Sequence, residues 1–159
     1  MRSTKNYPSA RFMRAMMAAA SVAMLAACGS DSTGPKNAGV QGTYTLLSVN
    51  GSPLPYTVPN TGEDVRIVQD ATITLGADST YAVHATGTEN GSASTIVTDA
   101  GHYTVSGNQV TFTSTMISGA HYTANYATTP GSPTLTATIA GLFVGSSDIS
   151  FTLVFAKSG

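Results

Sequence analysis

A single cysteine, Cys28, stands in 159 residues, so no disulfide can close within one molecule. Charge is also scarce, with 9% of residues Asp, Glu, Lys or Arg, and the basic ones crowd the N-terminus. After residue 27 only Lys36, Arg66 and Lys157 remain against all eight carboxylates, a side-chain balance of about −5. Such a surface repels phosphate backbones and anionic headgroups, which excludes nucleic-acid binding and polybasic contact with a membrane. No apolar run approaches the ~20 residues that a membrane-spanning helix needs. Nowhere after Gly42 does a 3.6-residue period hold, so an amphipathic helix is excluded as the organising element. What remains is a chain rich in threonine, with twenty-three after Cys28, together with valine and tyrosine. Branched and aromatic side chains pack well on a pleated sheet.

The first 27 residues read differently from the rest. Arg2, Lys5, Arg11 and Arg14 form a positive stretch without an acid, and Ala15 to Ala27 is apolar apart from Ser21. At ~1.5 Å per residue this run reaches about 20 Å, short of the ~30 Å hydrocarbon core. That is the three-part form of a secretory signal rather than a lasting span. Its end, Leu25-Ala26-Ala27-Cys28, resembles the lipobox of bacterial lipoproteins. The resemblance implies a thiol alkylated with diacylglycerol, cleavage before Cys28, and anchoring by acyl chains that contribute about 0.8 kcal/mol per buried CH₂. A free thiol beside an ordinary cleavage site is the competing reading. Gly29 and Ser30 follow the cysteine where Asp would imply retention at the inner membrane. Within the resemblance, that points to an outer-membrane anchor facing the periplasm or the surface.

Residues 28–41 are small and polar without periodicity and predict a flexible tether. The 132 residues from Cys28 onward suit one domain with one core, placed at 42–157. Period-two alternation predicts eight strands: 42–49, 64–75, 80–88, 94–105, 109–115, 120–127, 134–140 and 148–157. Pro53, Pro55 and Pro59 lack ladder donors, so 52–59 is expected as an extended loop across one end. Facing residues of an antiparallel pair point to the same side, so the inward pattern fixes the parity of each loop. Leu75 and Tyr81 need an odd loop, and Ala77-Asp78-Ser79 or Gly76 to Thr80 supplies it. Tyr103 and Val105 against Val110 and Phe112 need an even one, Gly107-Asn108. Met116 and Tyr122 need an odd one, assigned to Ser118-Gly119-Ala120. Tyr126 and Leu135 need an even one about Pro130-Gly131. Asn90-Gly91 conflicts with its neighbours, since Val83 and Tyr103 are both odd. A longer loop or a bulge must intervene, with Asp99-Ala100-Gly101 a plausible place. Eight strands in sequential hairpins resolve their edges best by closing into an all-β, antiparallel up-and-down barrel.

Several stretches resemble small bacterial lipocalin-like lipoprotein domains. They are Gly42-Thr43-Tyr44-Thr45-Leu46 with Asn50 to Pro55, Ile73 to Tyr81 with Ser79 where glycine is usual, Gly101 to Phe112, and Phe151 to Lys157. Tyr44 stands where true lipocalins carry tryptophan, and the chain has none. The resemblance implies a lipocalin-like barrel and no catalytic residues.

Chemistry has few places to reside. His84, His102 and His121 each have the parity opposite to the neighbouring tyrosine, so all three are expected outside, as solvated strand histidines. An outer metal site would need more than the one direct pair, His84 with His102, that a hairpin centred on Ala93 would form. No Gly-x-Ser-x-Gly elbow occurs, and Glu63-Asp64 reads as a solvated strand end, so no enzyme and no cofactor are expected. Tyr81, Tyr103, Tyr122 and Tyr126 face inward by pattern. They would either fill the core or line a pocket for a small hydrophobic ligand. Any protein partner would then meet the loops or outer face of a solid barrel.

Overall fold

A computed structural model of the chain describes residues 39–59, 64–129, 131–143 and 149–158. The signal at 1–27, Cys28 and most of the tether lie outside the described residues, as do Glu63 and Pro130. The strands are β1 (Gly42–Val49), β2 (Ser52–Pro53), β3 (Tyr56–Thr57), β4 (Arg66–Leu75), β5 (Thr80–Glu89), β6 (Ser92–Ser106), β7 (Gln109–Ser114), β8 (His121–Ala127), β9 (Thr134–Ala140) and β10 (Ser150–Lys157). From β4 to β10 each strand pairs antiparallel with the next, and β1 pairs with both β10 and β4. The sheet therefore closes as an eight-stranded antiparallel barrel. An even number of alternating strands lets the first and last run antiparallel, so closure needs no change of pairing type. The proline-rich connection contributes only the two-residue pieces β2 and β3, which bond to β1 and β4. Missing proline donors explain why they stay at the margin.

The parity arguments hold at most turns. Leu75 faces Tyr81 across 76–80, Tyr103 faces Phe112 across Gly107-Asn108, and Tyr126 faces Leu135. Ser79, where glycine is usual, adopts a φ of 65°, the left-handed region that glycine occupies without steric cost. Asn90-Gly91 is a two-residue turn after all, with φ of 52° and 80° as a mirror-image hairpin turn requires. The parity conflict is resolved by a bulge at Ile96, between the pairs Ala85–Val97 and Thr86–Thr95, and not at Asp99–Gly101. The β7–β8 hairpin also differs from expectation. Phe112 pairs with Tyr122 and Thr113 with His121, so the loop is odd but centred on Ile117. Met116, expected inside, is 58% exposed.

Two further bulges shift the inward face along their strands. In β4 the register steps at Gln69, which is exposed, and Val68 becomes fully buried while Val65 turns out to solvent. In β1 the step falls at Leu47, so Tyr44, Leu46 and Val49 all face in. Each bulge bends its strand and raises the local twist, which helps a narrow barrel close.

The interior is mostly apolar, and both ends are tied down. Where the chain enters, Val40 is buried and its carbonyl accepts from the Tyr44 hydroxyl at 2.7 Å. The Tyr126 hydroxyl donates to the Gly39 carbonyl at 2.7 Å. Gly39 and Val40, read from sequence as tether, thus belong to the barrel's packing. At the other end Phe143 is buried, with its ring 4.9 Å from Phe151 in an edge-to-face pair. The Arg66 guanidinium donates to the Phe143 carbonyl and pairs with Glu89 at 2.5 Å, so it ties Phe143 to β4 and β5 at that end.

Candidate functional site

Four alanines set the character of the interior. Ala71, Ala85, Ala124 and Ala137 are buried and face inward from β4, β5, β8 and β9. Where they stand, the inward side chains do not meet, and a cavity of about 90 Å³ remains. Ile73, Leu135, Leu153 and Phe155 supply much of its apolar wall. Ile117 lines the cavity while being 50% exposed, which places the mouth beside the β7–β8 loop, away from Val40.

The four tyrosines divide between two places. Tyr81 and Tyr122 line the cavity. Tyr103 and Tyr126 do not: their hydroxyls donate to the Gly76 and Gly39 carbonyls, both at 2.7 Å, in the half of the barrel where the chain enters. Inward parity carries all four towards the axis, and height along the barrel then separates lining from sealing. Tyr44, which the alternation does not single out, is fully buried and does the same sealing work.

One polar group breaks the apolar wall. Asp99 is 6% exposed and accepts from the Tyr81 hydroxyl at 2.7 Å and the Ser114 hydroxyl at 2.5 Å. Its other contact is the Ala100 N–H at 2.9 Å. Ser114 Oγ in turn accepts from the backbone N–H groups of Met116 and Ile117, at 3.1 and 2.8 Å. The buried carboxylate is thereby linked to the loop at the mouth. Burial first, and then the hydrogen bond to Asp99, pushes the Tyr81 hydroxyl well above the usual tyrosine range. Burial and then the charge of Asp99 raise Tyr122 as well. The inward tyrosine pattern does not single out Asp99, although its signal is present in the sequence. It shares odd parity with Tyr103 on β6, below the bulge, and so had to face inward.

The histidines are all exposed, as the alternation predicts. His84 faces Thr72 and Thr98, and His102 faces Thr80 and Thr113, so the direct His84–His102 pair does not form. The hairpin centres two residues away from where that pair would need it. His121 Nδ1 lies 3.2 Å from Thr113 Oγ1. Among the described residues no three His, Cys, Asp or Glu side chains converge to hold a metal ion. Asp64 accepts from the Asn90 amide at 2.8 Å on the surface.

Fold and interior together define a class: a closed eight-stranded meander barrel whose small apolar cavity carries one buried carboxylate. No family model, no curated protein and no solved structure matches the chain.

Proposed function

We propose that this is a lipid-anchored protein of the cell envelope whose barrel binds a small hydrophobic or amphipathic ligand without transforming it. The cavity carries the binding part of this reading. An apolar space with a few convergent polar groups is the usual form of a small-molecule site. At about 90 Å³ it suits a ligand far smaller than those of typical ~300–1,000 Å³ pockets. The anchor rests on the signal pattern and on Cys28 as the single cysteine. The chain enters the barrel at Val40, at the end away from the mouth. With Gly29 and Ser30 after the cysteine, the expected address is the outer membrane.

A second reading has its own support. Met116 and Ile117 are large apolar side chains exposed side by side, a feature of contact surfaces, so the barrel could serve as an interaction module instead. Native mass spectrometry of the full chain from cell envelopes separates the two. A co-purifying small molecule supports binding, whereas the bare chain with a bound protein favours the module. The anchor is tested by growing cells with an alkyne fatty acid. Wild type takes up label, and Cys28→Ser remains an unlabelled precursor with its signal attached. Equal label on both removes the anchor.

A further inference from the structure

Asp99 is a carboxylate buried in an apolar wall, and the groups around it are all neutral. A carboxylate offers about four acceptor positions, of which Tyr81, Ser114 and the Ala100 N–H use three. Among the described residues no lysine, arginine or histidine forms an ion pair with it. Arg66 is engaged with Glu89, and Lys157 sits over the Tyr44 ring. A buried charge without a counter-charge is costly, and the cost is relieved by whatever cation enters beside it.

We propose that the cavity selects a small organic cation, an alkylammonium whose charged end sits at Asp99 and whose alkyl body fills the apolar space. This rests on the ligand-binding reading above. The ammonium donates to the remaining acceptor position of Asp99 in a charge-assisted bond, stronger than a neutral one. A second acceptor is at hand in Tyr122. Its ring lines the cavity, and its hydroxyl makes no hydrogen bond to another described residue. The field of the barrel has the matching sign, since its described residues carry Arg66 and Lys157 against Asp64, Asp70, Asp78, Glu89 and Asp99. An anion is repelled by the same field, and a neutral ligand leaves the carboxylate uncompensated. Size is set by the cavity. At about 90 Å³ it limits the alkyl body to a short chain, and a longer one must leave past Ile117.

The test uses the full chain in lipid nanodiscs and three probes of equal length: n-butylammonium, 1-butanol and butyrate. Titrations are followed through the amide signals of Ala85, Asp99 and Ala124. The expected result is butylammonium binding roughly tenfold or more tighter than butanol, with no binding of butyrate. Asp99→Asn keeps the shape and an acceptor oxygen, and brings butylammonium down to the level of butanol. Tyr122→Phe weakens butylammonium more than butanol. Equal affinity of the wild type for butanol and butylammonium overturns the cation inference and leaves ligand binding standing. Failure of every probe to reach the cavity signals overturns both. The wild-type comparison decides even if Asp99→Asn does not fold.

Discussion

Asp99 shows how one buried polar residue organises its neighbours. Three donors converge on it, and one of them, Ser114, also holds the backbone of Met116 and Ile117. Removing a donor leaves a buried acceptor short of a partner, which costs about 1–3 kcal/mol. Tyr81→Phe is therefore expected to lower stability by about that amount in urea melts, with little change in packing, because the ring stays edge-on to Phe112 at 5.0 Å. Adding Asp99→Asn to Tyr81→Phe is expected to cost less than the two single losses together, since groups in one network are not additive. Strict additivity would show that Asp99 and Tyr81 are not coupled.

In β10 the alternation is at its clearest. Phe151, Leu153 and Phe155 are buried, while Thr152 and Val154 are only partly covered. Phe151 is fully buried against Phe143, so Phe151→Ala is expected to cost about 3–5 kcal/mol. Thr152 faces Thr138 across the outside of the barrel, hydroxyl to hydroxyl at 3.1 Å. Thr152→Ala is expected to cost no more than about 1 kcal/mol. Equal losses in denaturant melts would mean that this strand is buried on both faces. Close approach in β6 gives a sharper test. A Cβ on Gly101 would lie 2.0 Å from the Thr113 carbonyl oxygen, so backbone must move to admit it. Gly101→Ala is expected to destabilise by about 1–3 kcal/mol or more. Gly39→Ala, with nothing within 4 Å, is expected to stay within about 0.5 kcal/mol. Thermal melts of the two variants side by side measure the difference.

Closure seals tyrosine hydroxyls at both levels of the barrel, and this couples the whole fold to alkaline pH. Tyr44 is raised above its ordinary value by burial and then by Tyr126. Tyr81 is raised by burial and then by Asp99, and Tyr122 likewise. A folded state that holds its tyrosine protons longer than the unfolded chain is fully stabilised below the unfolded value, about 10. As pH rises beyond that, the unfolded chain releases protons first, and stability falls until the folded values are passed. Urea midpoints are therefore expected to be flat from about pH 8 to 9.5 as far as tyrosine is concerned, and to decline above about 10. Tyr81→Phe makes the decline shallower. A decline of unchanged steepness in that variant would remove Tyr81 from the account.

Much of the architecture is legible in the chain alone, because alternation is a local property that each strand displays by itself. Inward parity at Leu75, Tyr81, Tyr103, Phe112, Tyr126 and Leu135 is enough to order the hairpins and to predict the meander and its closure. It also sends the histidines outward and, read to the end, sends Asp99 inward. Bulges are not legible in this way. The sequence alternates equally well on either side of Leu47, Gln69 or Ile96, and only the demands of neighbouring strands choose where the extra residue falls. The parity conflict at Asn90-Gly91 therefore announces a bulge without locating it. The cavity is still further from local pattern. It is the small difference between the space that eight strands enclose and the side chains that all eight send in. Four alanines on four strands create it only because closure brings them to one level of the barrel. The same closure puts the Asp99 carboxylate, on β6, beside Tyr81 of β5 and Ser114 of β7, which lie 18 and 15 residues away along the chain.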